Sequence, residues 1–326
     1  MDFKKLTSRY KQFGGVRLIL QYVKLGLLPI IVKGFVRCFV KNQSFKAIYP
    51  EILQRIEPYL VERFQVSRFK VQEKGLSHEH PKVIWWCWLQ GVENAPSIVK
   101  ACFNSLMREF KGSRDKGYEI KVIDAENWKE YVELPEYIVK KWEKKQIPPA
   151  LFSDLLRLEL LIKYGGTWID STVLCTGNVN DNHNHNDNFL NADLFLFQYT
   201  KQGSIPVSIS NWFISAHSNN EVLIVLRDML YAYWKDFDCV LDYYIFHLFF
   251  AMISKEYPEQ IAAMPYGQSQ NSLVLLHHWG EKFEQKKWDK LTSQVCFHKL
   301  AFRVGENVTK DRENYYNYIL TEYGRV

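Results

Sequence analysis

The 326-residue sequence predicts an α/β fold with a parallel sheet, preceded by a mainly helical N-terminal extension. Three observations carry this. Beyond residue 80, short β-favouring runs alternate with helical segments. In mid-chain, over 148–172, a helix, a glycine turn and a strand follow one another directly. Ahead of residue 80 the pattern is helical and basic. The expected division is therefore an extension over 1–80 and a main domain over 81–326.

Composition narrows the class. Hydrophobic residues make up 47% and aromatics 15%, which supports a packed core and excludes a disordered chain. The formal charge of +6 is concentrated at one end. Nine Lys and Arg in the first 41 residues face a single acid, Asp2, so the body is slightly acidic. A basic tail on an acidic body fits nucleic-acid binding poorly. Cys38, Cys87, Cys102, Cys175, Cys239 and Cys296 show no CxxC spacing. Reduced thiols in the cytoplasm are expected, without a zinc cluster.

In chain order, residues 16–40 interleave aliphatics with Arg17, Lys24, Lys33 and Arg37. The longest charge-free apolar run, 25–32, contains Pro29 and falls far short of the ~20 residues a span needs. There is no small-residue cleavage site, so a signal peptide is not expected. A basic, apolar segment suits an anionic membrane surface; the plainer alternative is a helix pair packed on the domain. A further helix is expected near 49–64. Val83, Ile84, Trp85 and Trp86 form the first strand, ended by Gln90 and Gly91 and followed by a helix over 98–110. A second strand ends at Asp124, a residue suited to capping the next turn. Beyond the central run, 177–188 is Asn-rich; its Asp181, His183, His185 and Asp187 suit a solvated loop better than a metal site. A strand over 193–199, a strand and turn over 211–220, an amphipathic helix over 221–234 and a short buried helix over 242–253 complete the body.

The central run carries the chemistry. Pro148 and Pro149 suit a helix entrance, where a missing N–H costs nothing. Leu151, Leu155, Leu158 and Ile162 recur at helical spacing, and Asp154 and Arg157, three apart, share another stripe. Gly165 and Gly166 stop the helix, and Thr167-Trp168-Ile169 delivers Asp170 to a strand end. Sugar transfer from a nucleotide diphosphate wants such a site. The leaving group concentrates negative charge, to be met by cations and by a metal on a strand-end carboxylate. The sugar hydroxyls need an acceptor such as Asp154 and a donor such as Arg157. The plainer alternative is a buried Asp154–Arg157 ion pair with Asp170 starting a turn.

The run ALFSDLLRLELLIKYGGTWIDST resembles glycosyltransferases with a DxD motif, a group that includes the capsular polysaccharide synthesis proteins. Yeast mannosyltransferases and clostridial glucosylating toxins are similar at greater distance. Ala150, Ser153, Asp154, Arg157, Tyr164, Gly165, Gly166, Trp168 and Asp170 fall on the shared pattern; Thr172 stands where many relatives carry a second Asp. The resemblance implies a GT-A-like, Rossmann-like transferase domain, a nucleotide-sugar donor (UDP-hexose) and retention of anomeric configuration. It implies a divalent cofactor, Mn²⁺ or Mg²⁺, held by Asp170, Thr172 and His298, with imidazole favouring Mn²⁺. Asp154, Arg157 and Asp170 would act at the donor, and Asp242 would steady the anomeric carbon. Trp86 or Trp88 would stack on the base, near Gln90, and Lys299 would neutralise the diphosphate. Asn211, Trp212 and Ser215 would line the sugar pocket, with His217 at a turn. The acceptor would be a growing, lipid-linked capsular or cell-surface oligosaccharide. The protein would then be cytoplasmic and peripheral on the inner face of the plasma membrane. A noncatalytic nucleotide-sugar or glycan-binding subunit of an assembly complex would account for Thr172, but intact Asp154, Arg157 and Asp170 favour the enzyme.

Overall fold

The computed structural model describes residues 10–40, 48–69, 79–111, 117–177, 187–199 and 208–324. The loop residues Asp181, His183 and His185 lie outside these. Strands β1 (Val83–Cys87), β2 (Glu119–Ile123), β3 (Gly166–Ile169), β5 (Leu194–Gln198) and β6 (Ile209–Ala216) form one sheet in the order β2-β1-β3-β6-β5. Strands β4 (Val173–Cys175) and β7 (Phe297–Lys299) form a separate antiparallel pair.

The sheet is mixed, not parallel throughout. β1 runs parallel to β2 and β3, as strand–helix alternation predicts, but β6 lies antiparallel to both β3 and β5. Only residues 199–208 connect β5 to β6, fewer than the dozen or more that a parallel crossover takes, so the two pair antiparallel.

Both faces of the sheet are covered, and only the edge strand β2 keeps a polar side, with Glu119 and Lys121. Side chains alternate across a strand. Trp85 and Cys87 join one buried layer with Trp168, Leu196 and Ile214. Ile84 and Trp86 join the other with Ile169, Phe195 and Phe213. Counting helices of eight residues or more, the first layer holds α1 (Val16–Lys24), α2 (Leu28–Val40), α3 (Tyr49–Arg63), α5 (Glu136–Glu143), α6 (Pro149–Tyr164), α7 (Glu221–Asp236) and α8 (Ile245–Glu256). The second holds α4 (Ser97–Lys111), α9 (Ser269–His278), α10 (Gln285–Gln294) and α11 (Tyr315–Tyr323).

Helix α6 is buried nearly all round, Asp154 and Arg157 included, and lies in the interior. It stops at Gly165 (φ 72°), and Gly166 (φ 94°) opens β3. Space as well as conformation demands glycine here. A Cβ on Gly165 would lie 2.5 Å from the Glu79 carbonyl, and one on Gly166 would lie 2.6 Å from that of Val83.

The expected boundary at residue 80 does not separate two cores. Leu18, Leu27, Ile52, Ile56 and Leu60 belong to the same buried cluster as Leu155 and Phe249. Tyr22 donates to the Leu241 carbonyl (3.0 Å), and Phe13 stacks on Tyr243. The outward face of the helix pair stays apolar. Val16, Ile19, Leu20 and Val23 on α1, and Leu28, Val32 and Val36 on α2, are exposed at one-face spacings. Among the described residues no helix is long and apolar enough to cross a membrane.

Candidate active site

Four charged side chains of alternating sign meet where β3 ends. Asp154 and Arg157 come from α6, Asp170 follows β3, and Lys299 closes β7. One Arg157 nitrogen lies 3.3 Å from both Asp154 Oδ1 and Asp170 Oδ1. Lys299 Nζ donates to Asp170 Oδ2 at 2.7 Å and to Thr172 Oγ1 at 2.6 Å. Trp168 Nε1 donates to Asp170 Oδ1 (2.9 Å), and the guanidinium lies 4.8 Å from the Trp168 ring centroid. Asn211, on β6, serves both helix residues: its carbonyl accepts from Arg157, and its Nδ2 donates to Asp154 Oδ1 (2.9 Å). The sheet sets this geometry, because Ile169 pairs with Phe213 and the Asp170 amide donates to the Trp212 carbonyl.

The cluster has a closed end and an open end. The Asp154 and Arg157 side chains are 8% and 4% exposed, whereas Asp170 and Lys299 keep 23% and 21%. A ligand therefore meets the Asp170–Lys299 end first. The electrostatics follow the burial. Burial, with the Asp170 charge adding to it, pushes the Asp154 carboxyl up from 3.8 to about 7 against the pull of Arg157. Burial acts on Asp170 in the same direction, but Lys299 and Arg157 outweigh it and hold that carboxyl below its ordinary value.

Other expected residues fall in different places. Trp86 is sealed in the core against Phe103 and offers no face to a base, a correction caused by its inward phase on β1. Trp88 lies beyond the strand, half-buried, with its Nε1 unpartnered and its ring edge-on to Phe302 at 5.5 Å. Gln90 is exposed, its carbonyl accepting from Asn94. Asp124 caps its turn, accepting from the amides of Glu126 and Asn127.

Asp242 is buried, and its carboxylate is engaged by other partners. Both of its oxygens accept from Tyr49 (3.0 and 2.9 Å) and one also accepts from the Tyr244 amide. Its neighbour Tyr243 is 43% exposed as a residue, yet its phenol is raised, first by burial and then by the charges of Asp154 and Asp170. Ser215 is fully buried, bonded to Thr167 and to the Leu190 carbonyl, and Trp212 stacks on Phe197. His217 turns back on the Ser218 carbonyl. His247 is buried with an unpartnered Nδ1; burial and then the Arg157 charge lower it to about 3, so it is neutral at ordinary pH.

The expected metal ligands do not converge. His298 and Lys299 are adjacent on β7 and point to opposite faces. With Lys299 turned to Asp170, His298 turns inward to Thr176 Oγ1 (2.8 Å) at 1% exposure, which corrects its expected place in a metal shell. Thr172 Oγ1 and Asp170 Oδ2 are both taken by the Lys299 ammonium. Among the described residues no three His, Cys, Asp or Glu side chains form a metal-binding group. The residues present do not fit a divalent cation.

Residues that the sequence did not single out complete the surroundings. Phe302 abuts Trp88, and the Arg303 guanidinium lies 5.2 Å from the Phe302 ring centroid. Both follow Lys299 by a few positions, which is the one local signal for them.

No curated protein matches the chain. Among solved structures, the PaToxG glycosyltransferase aligns at a TM-score of 0.39 and 12% identity, covering 84% of this chain and 96% of that one. The model of the capsular polysaccharide synthesis protein family matches residues 36–319, from within α2 to within α11. The chain belongs to the capsular polysaccharide synthesis protein family.

Proposed function

We propose that this protein is a GT-A-like glycosyltransferase that moves a hexose from a nucleotide-sugar donor, UDP-hexose, to a growing, lipid-linked capsular or cell-surface oligosaccharide. The observation that carries this is the cluster Asp154–Arg157–Asp170–Lys299 at the end of β3, in a chain of a polysaccharide synthesis family. A nucleotide-sugar needs two kinds of partner, and both are present. Transfer leaves negative charge on the departing diphosphate, and the Lys299 ammonium at the open end meets it. The sugar hydroxyls need positioned acceptors and donors, supplied by Asp170 and, behind it, by Asp154, Arg157 and Asn211, which fix one another's orientation. Trp88, half-buried with Phe302 at its edge, offers the aromatic surface for the base. The motif's likeness to retaining enzymes supports retention of configuration.

The membrane belongs to the same proposal. The exposed aliphatic face of α1 and α2, within a segment of strong positive charge, fits an anionic lipid surface, where the inner leaflet would present the acceptor.

Assay of the purified protein against a panel of UDP-sugars tests the proposal, because donor hydrolysis needs no acceptor. Release of UDP from one UDP-hexose well above the others is expected. No turnover of any nucleotide-sugar would overturn it.

A further inference from the structure

Metal-binding sites in which two carboxylates hold a dication are close to charge balance. Here one carboxylate, Asp170, and one neutral hydroxyl, Thr172, flank a single position. Such a pair balances a monocation, and a monocation is in place. Lys299 Nζ lies 2.7 Å from Asp170 Oδ2 and 2.6 Å from Thr172 Oγ1. It is not a loose surface side chain that has fallen onto an acid. The β4–β7 ladder pairs Val173 with Lys299, and the Leu300 amide donates to the Thr172 carbonyl at 2.8 Å. The backbone thus holds Lys299 beside Thr172 independently of the ammonium. Asp170 Oδ1 is also committed, to Trp168 Nε1 and to Arg157, so its oxygens meet three donors already. His298, the residue next to Lys299, faces the other way.

We infer that the Lys299 ammonium stands in for a divalent cation, so that the diphosphate of a bound nucleotide is met by the protein's own charge and no metal is needed to bind it. This rests on the proposed nucleotide-sugar function. An ammonium has three N–H donors; two are spent on Asp170 and Thr172, and the third is available to a phosphate oxygen. Partial exposure of both Lys299 and Asp170 leaves the approach open. Toward the diphosphate, Asp170 aims Lys299 instead of ligating a metal. A carboxylate held below its ordinary pKa keeps that role throughout the neutral range.

The test is calorimetric titration of UDP into the full-length protein, once in excess EDTA and once with Mn²⁺, together with Mn²⁺ alone. The expected UDP affinity is the same within about twofold in both conditions, with no saturable uptake of Mn²⁺ alone. Lys299→Met should weaken UDP binding by about tenfold or more, and Lys299→Arg should restore most of it. The wild-type comparison needs no variant and stands even where Lys299→Met fails to fold. UDP binding that appears only with Mn²⁺, or that tightens about tenfold with it, would overturn the inference and leave the nucleotide-sugar function intact. So would UDP binding in EDTA that Lys299→Met leaves unchanged. Absence of UDP binding in every condition would overturn both.

Discussion

Asp154 and Asp170 flank one guanidinium and titrate in opposite directions. Because Asp154 rises from 3.8 to about 7 on folding, the native state prefers its neutral form. Its contribution to stability is complete below the ordinary carboxylate range and fades as pH climbs through about 7. Asp170, held low, contributes above that range and loses its effect as pH falls below it. Asp154→Asn deletes only the first dependence. The variant's melting temperature is therefore expected to gain on the wild type between about pH 5 and about pH 7, measured by circular dichroism. Parallel curves would contradict the placement of Asp154. Local chemistry of this kind was legible in the sequence, since an Asp and an Arg three apart on a helix must be neighbours. The bond from Tyr49 to Asp242 was not, because 193 residues separate the partners and nothing local marks either.

The helix–turn–strand element converts that local pattern into a site. Gly165 and Gly166 swing the chain from α6 into β3 tightly enough that Asp170 returns to the level of Asp154 and Arg157. Gly165→Ala would force a Cβ to within 2.5 Å of the Glu79 carbonyl at positive φ. A loss of about 2 kcal/mol or more is expected from the shift in urea midpoint. A loss under about 0.5 kcal/mol would show that the turn is not constrained. Element boundaries were mostly visible because propensity, capping and turn residues agreed along the chain. Strand phase was visible less often. In Trp85-Trp86-Cys87 every position is buried, so no polar face sets the alternation and the sequence could not separate Trp86 from its neighbours. β7 is three residues long with two polar side chains in succession, so nothing in it decided whether His298 or Lys299 turned to Asp170. The antiparallel half of the sheet escaped for a related reason, since orientation depends on which strands pair, not on any one strand's residues.

At the scale of the whole molecule, the extension is part of the body and also its proposed contact with lipid. Its inner face joins the main core, and its outer face leaves a stripe of aliphatics exposed. Replacing Val16, Ile19, Leu20 and Val23 together by Ser removes exposed side chains that lie outside the buried cluster, so the fold should persist. Co-sedimentation with phosphatidylglycerol vesicles is expected to fall by about tenfold or more while donor hydrolysis is retained. Unchanged sedimentation would refute the membrane face. The central claim is that the β3-end cluster turns over a nucleotide-sugar, and Asp170 is the more accessible of its two carboxylates. The most direct measurement is UDP release from the preferred UDP-hexose by wild-type and Asp170→Ala protein of equal melting temperature. The account predicts a rate below about a tenth of wild type, a loss of at least ~1.4 kcal/mol in transition-state stabilisation. A well-folded Asp170→Ala protein that keeps the wild-type rate would contradict it.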